Sequence, residues 1–189
     1  MEQQTIFQSV AAKAAKFGFP IRKPEDLPHP IITGQPDAAW DSRIQSNWWY
    51  DEQTISKELA ERSFMSARLL ELHKKLLSFG GYRTCLPVVE DDLDNILDRG
   101  QLWLGANPIM MLGQPSQCHR NSAACWEANR NKTILCTGYA LSEDGMWRQH
   151  SWLVNYKAQR IVETTVERVA YFGFAMTRNE AQAFADDCY

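Results

Sequence analysis

Hydrophobic residues recur at helical spacing through residues 55–79 and predict one long amphipathic helix there. Leu69, Leu72 and Leu76 share one face of this helix, and the glycines at positions 80 and 81 predict its end. Residues 91–99 favour a second, shorter helix with acidic side chains in its first turn, where they suit the helix dipole. We therefore expect this part of the chain to be largely helical.

The pattern changes after residue 115. A helix is predicted over residues 117–129, and three β-rich runs separated by turn signals follow it: 133–141, 146–156 and 161–165. Thr177 and Glu180 have the spacing of a capping box, which predicts a final helix. A helix, an antiparallel meander and a closing helix together indicate the α+β class. We predict one α+β domain over residues 51–189, with its core at about 115–175.

The first 50 residues have a different character. Residues 5–17 have helical composition, whereas five of the eight prolines fall within residues 20–36 and exclude regular structure there. Residues 40–50 contain three tryptophans and a tyrosine. We expect residues 1–50 to form a helical extension and a proline- and tryptophan-rich arm, which either packs on the domain surface or covers a ligand cleft.

Composition and charge narrow the class of protein. Hydrophobic residues make up 44% and charged residues 23% of the 189 residues, as in ordinary globular chains. A formal net charge of −3 without a basic run argues against a nucleic-acid partner. The longest apolar stretch is far shorter than the ~20 residues that span a membrane, and the N-terminus lacks the basic segment of a secretory signal. A cytoplasmic protein without a membrane contact is expected.

The cysteines supply the first candidate chemistry. There are five, an odd number, so at least one thiol stays free in any disulfide pattern. Cys118 follows Ser116, the best N-cap candidate of the predicted helix, by two residues. The first helical turn has unpaired N–H groups and the positive end of the helix dipole, and both favour a thiolate. We therefore predict that Cys118 is a nucleophile whose surroundings also suit an oxyanion.

A thiolate nucleophile requires a general base that a third group orients. His150 lies on the second predicted strand and is the candidate base, whereas His119 lies about 100° from Cys118 around the helix and is expected to be poorly placed. A turn centred between residues 158 and 159 places Glu167 directly opposite His150. Glu163 then lies on the same face, four residues away. Both acids are candidates for the orienting carboxylate.

The order of these residues resembles the transglutaminase-like branch of the papain-like cysteine hydrolase superfamily. That family has a cysteine at a helix start, followed by two strands that read roughly His-Ala-Trp and Asp-Pro-Thr. Here the strands read His-Ser-Trp from His150 and Glu-Thr-Thr from Glu163, within residues 115–170. The acid is Glu rather than Asp, no proline follows it, and the interval of thirteen residues is short. The resemblance implies a papain-like core with Cys118 as nucleophile, His150 as base and Glu163 as orienting carboxylate.

Side chains near the cysteine and the histidine are candidate oxyanion donors or substrate contacts. They are Gln114, Gln117, Asn121 and Trp152. The predicted activity is acyl transfer at an amide or ester, which includes hydrolysis, deamidation and transamidation. The predicted substrate is a peptide, a protein or a small amide, and neither a cofactor nor a metal is expected.

Two other functions remain open from the sequence. The tryptophan-rich arm suits a non-catalytic module that docks a partner. A small zinc protein is the other alternative, because potential ligands cluster in the second half of the chain: Cys118, His119, Cys125, Cys136 and His150. These residues lack the close C-x₂-C or H-x₃-H pairs that are typical of structural zinc sites.

Overall fold

A mixed sheet organises the part of the chain that the computed structural model describes, residues 64–87, 89–105 and 107–189. Its seven strands are β1 (Arg83–Cys85), β2 (Gln101–Leu104), β3 (Ile109–Met110), β4 (Ile134–Leu141), β5 (Met146–Asn155), β6 (Arg160–Glu163) and β7 (Ala170–Ala175). Four helices accompany them within the described residues: α1 (Phe64–Phe79), α2 (Leu93–Arg99), α3 (Cys118–Ala128) and α4 (Arg178–Asp187). The α+β class is confirmed. The helix and arm expected in residues 1–50, and the start of the helix expected from residue 55, lie outside the described residues.

The strand order combines local and distant pairings. It runs β2-β7-β4-β5-β6-β3, with β1 attached to β5. The antiparallel meander β4-β5-β6 is the one predicted from the sequence. In contrast, β1 and β3 pair in parallel with β5 and β6, and β7 returns to pair with β4. The capping box at Thr177 is present and begins α4, as predicted.

Helices cover one face of the sheet and enclose the main core. Leu69, Leu72 and Leu76 of α1 are fully buried there, as their spacing predicts, and Trp147 and Leu153 of β5 meet them from the sheet. The alternate residues of the strands form a second apolar cluster on the opposite face: Trp103, Cys136, Ala140, Trp152, Val154, Ile161 and Tyr171. Successive side chains of a strand point to opposite faces of the sheet, so the two clusters lie on opposite sides of it. No helix in the described ranges is both long and apolar enough to cross a bilayer.

One edge of β5 is divided between two partner strands. β1 pairs with its first residues, through Met146–Arg148, and β6 pairs with its last residues, through Leu153–Asn155. Residues 149–152 have no strand partner on this edge within the described chain. The sheet is therefore open at His150, so a side chain from another element can approach the histidine there.

Gly138 lies directly across from His150 on β4, and the geometry there suits glycine alone. Its φ is +150°, and an added Cβ would lie 2.4 Å from the carbonyl oxygen of Phe172. A side chain would therefore force β7 away from β4. The close approach of these strands holds Tyr171, the neighbour of Phe172, within reach of the site beside His150.

Candidate functional site

Helix α3 begins at Cys118. The sequence predicts that this helix begins one residue earlier, at residue 117. The N-cap is Gln117 rather than Ser116, whose φ of 59° lies in the left-handed region. The Gln117 side chain makes no capping hydrogen bond within the described part. Cys118 is thus the first helical residue, and the N–H groups of this turn have no side-chain cap. These donors and the helix dipole favour negative charge on or beside the sulfur.

The Cys118 thiol interacts with two imidazole side chains. Burial alone raises its pKa, but hydrogen bonding to His119 and His150 and attraction to their charge outweigh burial and lower the pKa to about 5. Such a thiol is almost fully ionised at neutral pH. Burial also disfavours charge on His150, yet its contacts with Cys118 and Glu163 raise the pKa of the imidazole. The pair therefore favours thiolate and imidazolium.

The expectation that His119 is poorly placed is wrong. Side chains in a helix tilt toward its N-terminus, so residues of the first turn project beyond the helix end and two consecutive ones can converge there. His119 Nδ1 lies 2.7 Å from Ser151 Oγ, and Ser122 Oγ donates to the Ser151 carbonyl at 2.9 Å. These bonds tie the first turns of α3 to β5 beside His150.

The other four thiols differ from Cys118 in their electrostatics. Burial raises the pKa of Cys85 to about 11, and it also raises the pKa values of Cys125, Cys136 and Cys188. None of the five cysteines is in a disulfide. Cys118 is therefore the cysteine whose surroundings favour the reactive form.

Glu163 forms a hydrogen bond with the imidazole of His150. The His150 Nε2 and the Glu163 Oε2 are 2.9 Å apart, and both side chains are buried. Burial opposes charge on Glu163, but its contacts with His150, Thr165 and Tyr171 lower the pKa to about 2. An ionised carboxylate only accepts, so Nε2 carries the proton of this hydrogen bond. Nδ1 is then the ring nitrogen that remains for the sulfur.

Backbone and hydroxyl donors complete the surroundings of the Glu163 carboxylate. Its Oε1 accepts from the backbone N–H groups of Thr164 and Thr165, both at 2.8 Å, and from the Thr165 hydroxyl at 2.9 Å. Its Oε2 accepts from the Tyr171 hydroxyl at 2.9 Å in addition to His150. Five hydrogen bonds stabilise a carboxylate with no exposed surface.

The structure separates the two candidate acids. The turn over residues 156–159 is centred between 157 and 158, so Leu153 pairs with Val162, two residues from the predicted register. A shift of two residues leaves each side chain on its predicted face. Glu163 therefore stays on the face of His150 and contacts it, whereas Glu167 is exposed and lies beyond the end of β6.

Two aromatic rings lie behind the imidazole. Trp152 is fully buried and parallel to His150, with an angle of 10° between the rings and 6.4 Å between their centres. Tyr171, which the sequence indicates only as part of a core strand, packs on both rings and also hydrogen bonds to Glu163. Trp152 is thus packed behind the imidazole and does not line the cleft at Cys118. No local signal identifies Tyr171, because it reaches the site through the distant pairing of β7 with β4.

The three candidate amides beside the helix do not line the cleft at Cys118. The side chain of Asn121 is hydrogen bonded to the loop that precedes the helix. Its Oδ1 accepts from the Gln114 N–H at 3.0 Å, and its Nδ2 donates to the Gln114 carbonyl at 2.7 Å. The Gln114 and Gln117 side chains are exposed. The predicted role of these amides as oxyanion donors is therefore not supported by their positions, and the N–H groups of the first turn of α3 are the donors nearest the sulfur.

We predict that Asn121→Ala lowers the free energy of unfolding by about 1–2 kcal/mol, because it removes two hydrogen bonds that anchor the loop. Denaturant unfolding measures this loss. Gln117→Ala is the matched control and should change stability by less than about 0.5 kcal/mol, since its side chain is exposed. Equal stability of the two variants would contradict an anchoring role for Asn121.

A cleft of about 610 Å³ opens at Cys118, His119 and His150. This is the usual size of a small-ligand site. Two of its lining side chains, Leu112 and Val166, are apolar and 71% and 55% exposed. The thiolate therefore faces a space in which apolar and charged walls can contact a bound molecule.

The residues considered for zinc do not assemble. Among the described residues, no three His, Cys, Asp or Glu side chains are placed to hold a metal ion. Cys136 belongs to the second apolar cluster, whereas Cys125 Sγ lies 3.6 Å from Met111 Sδ. Cys125 and Cys136 therefore make other contacts and do not join Cys118, His119 and His150 in one group of ligands within the described chain.

No protein-family model matches the chain, and neither the curated proteins nor the solved structures contain a significant match. The function is therefore inferred from the geometry and the chemistry of the site.

Proposed function

We propose that the protein is a cysteine-dependent acyl-transfer enzyme with a papain-like core, in which Cys118, His150 and Glu163 act together on an amide or ester. The observation that carries the proposal is the position of Cys118 at a helix start, beside an imidazole that a buried carboxylate holds. This arrangement supplies an ionised nucleophile, a proton carrier and an orienting group in the order that nucleophilic catalysis requires.

In the first half of the reaction, the Cys118 thiolate adds to the carbonyl carbon of the substrate. The N–H groups at the start of α3 stabilise the negative charge that develops on the carbonyl oxygen. The bond from the carbonyl carbon to the leaving nitrogen or oxygen then breaks, and the leaving group takes a proton from His150 Nδ1. The product of this half is a thioester between Cys118 and the acyl group.

In the second half, an acceptor attacks the thioester. His150, now neutral, removes a proton from the acceptor, the C–S bond breaks, and the thiolate is restored beside the imidazolium. Water as acceptor gives hydrolysis or deamidation, and an amine gives transamidation. Glu163 stays ionised throughout, because its five hydrogen bonds stabilise the carboxylate, and it keeps Nε2 protonated.

The pH dependence of alkylation tests this proposal. Iodoacetamide should modify Cys118 with an apparent pKa near 5, because hydrogen bonding to His119 and His150 stabilises the thiolate. Peptide mapping by mass spectrometry reports the rate at each cysteine of protein that has been reduced and then freed of reductant. At pH 6, Cys118 should be modified faster than Cys125 and Cys188, whose pKa values are raised.

An apparent pKa of 8 or higher at Cys118 would contradict the proposal. So would equal rates at Cys118 and Cys188 at pH 6. Cys125 and Cys188 are matched internal controls, since all three thiols are partly exposed and differ in their electrostatic surroundings.

A further inference from the structure

The cleft beside Cys118 has a cationic wall. Its charged lining residues, apart from the histidines, are Arg148 and Arg168, and no carboxylate lines it within the described chain. Arg148 lies two residues from His150 on β5 and points to the same face, so their Cα atoms are roughly 7 Å apart. Both arginines therefore line the same cleft as the sulfur and the imidazole.

Arg148 has an internal partner. Its two terminal nitrogens donate to the two carboxylate oxygens of Asp144, and the side chains of this pair are only 15% and 22% exposed. Burial works against charge on Asp144, yet the bonds and the charge of Arg148 hold its pKa below the usual range. The charge of Arg148 is thus largely neutralised by the protein.

Arg168 differs from Arg148 in its hydrogen bonds, although its charge also helps to lower the pKa of Asp144. Its Nη1 donates to the neutral hydroxyl of Ser142 at 2.5 Å, and no carboxylate of the described residues hydrogen bonds to it. Its Nε is buried and has no hydrogen-bond partner in the same part of the chain. A guanidinium has five donors, and Ser142 is the one described side chain that accepts a hydrogen bond from Arg168.

The backbone of the next residue holds Arg168 at the cleft. The Val169 N–H donates to Leu141 at 2.8 Å, and the Val169 carbonyl accepts from Gly105 at 2.8 Å. Gly105 itself has no room for a side chain, because a Cβ would lie 1.7 Å from the Arg168 carbonyl oxygen. The Arg168 side chain therefore starts from a fixed point of the backbone beside the cleft.

An adjoining cleft of about 500 Å³ shares Arg148 and Arg168 with the first and contains the nearby acids, Glu143, Asp144 and Glu167. These acids line only the adjoining cleft, so Arg168 lies on the border between a cationic space and an acidic one. An anionic group bound in the cleft at Cys118 would therefore be in a space that Arg168 lines and these carboxylates do not.

We propose that Arg168 binds a carboxylate of the substrate, so that the enzyme acts on amides or esters whose acyl part bears a negative charge. This inference rests on the proposed function, because it assigns the substrate class of the same site. Arg168 is an anion-binding residue in this role, and the apolar side chains of Leu112 and Val166 contact the rest of the acyl part.

Two alkylating reagents of similar size test the inference on the full chain. Iodoacetate carries the carboxylate and iodoacetamide is its neutral counterpart, so the ratio of their rates at Cys118 measures attraction of an anion to the cleft. We expect Arg168→Gln to lower this ratio by about tenfold at low salt, and Arg168→Lys to restore most of it. Salt should reduce the ratio in the parent protein more than in Arg168→Gln.

Arg178→Gln is the matched control, since it removes one positive charge from an exposed position outside the cleft. It should leave the ratio within about twofold of the parent value, because screening weakens distant charges. An unchanged ratio in Arg168→Gln would overturn the anion-binding role of Arg168 while leaving the proposed function intact. If neither reagent modifies Cys118 faster than Cys188, the proposed function fails, and this inference fails with it.

Discussion

Replacing Glu163 by alanine is expected to lower the free energy of unfolding by about 3–5 kcal/mol, because the substitution removes the partner of a buried charged group. The carboxylate has no exposed surface and accepts five hydrogen bonds. Its loss leaves His150, the hydroxyls of Tyr171 and Thr165, and two backbone N–H groups without their acceptor. Denaturant unfolding at pH 7 measures the effect.

Glu167→Ala is the matched control for this variant. Glu167 is exposed and four residues further along the chain, so its replacement should change stability by about 0.5 kcal/mol or less. Glu163→Gln should fall between the two, since the amide keeps one acceptor oxygen for the Thr164 and Thr165 N–H groups but loses the charge. Equal costs for Glu163→Ala and Glu167→Ala would refute the assignment of Glu163 as the buried acid.

The cost of Glu163→Ala should also depend on pH. The pKa of Glu163 in the folded protein is about 2, below its usual value of 4.5, so folding favours the ionised form. This preference contributes about 3 kcal/mol above pH 4.5, and the contribution is lost as the pH falls from 4.5 through 2. The difference in stability between the parent and Glu163→Ala should therefore be largest near neutral pH and shrink in acid. A difference that stays constant from pH 7 to pH 3 would contradict the depressed pKa.

Replacing His150 by glutamine is expected to slow alkylation of Cys118 by iodoacetamide about tenfold at pH 6. The variant loses the imidazolium that stabilises the thiolate, so the thiol pKa rises toward its usual range and the ionised fraction falls. A thiolate of higher pKa is intrinsically more nucleophilic, which offsets part of the loss. For the same reason, the variant should react as fast as the parent, or faster, above about pH 9.

The crossing of the two pH profiles distinguishes electrostatic activation from a change in access to the sulfur. A collapsed or blocked cleft would slow the variant at every pH, whereas loss of the imidazolium slows it only where the thiol is protonated. The proposed acyl transfer should fall further than alkylation, by at least about 100-fold, because it would also require His150 as proton carrier. Parallel pH profiles for the parent and the variant would remove the support for a thiolate–imidazolium pair.

The core of the site could be predicted from the sequence because its elements are neighbours in the chain. Helix α3 and the meander β4-β5-β6 follow one another directly, so periodicity and turn signals locate Cys118, His150 and Glu163 on them. The predicted register was wrong by two residues, but a β-strand repeats every two residues, so Glu163 remained on the face of His150. The helix start was misplaced by one residue, because Ser116 has the composition of an N-cap but not its backbone conformation.

Residues that reach the site through distant pairings could not be predicted in this way. Tyr171 contacts Glu163 because β7 pairs with β4, about thirty residues earlier. Arg168 lines the cleft because backbone bonds to Leu141 and from Gly105 hold the next residue. The choice between Glu163 and Glu167 also required three-dimensional information. The two acids are four residues apart, so both would point to the same face of an extended strand.

The sequence by itself determined the α+β class, the position of Cys118 near a helix start and the shared face of His150 and Glu163, because local periodicity and turn signals encode each of them. The tertiary structure alone decided that His119 also contacts the thiol, that β5 is open at His150, and that Arg168 borders the cleft. These features depend on which strands become neighbours and where helix α3 meets the sheet. The free energy of packing the whole domain selects these strand pairings, and they cannot be predicted from a local pattern in the chain.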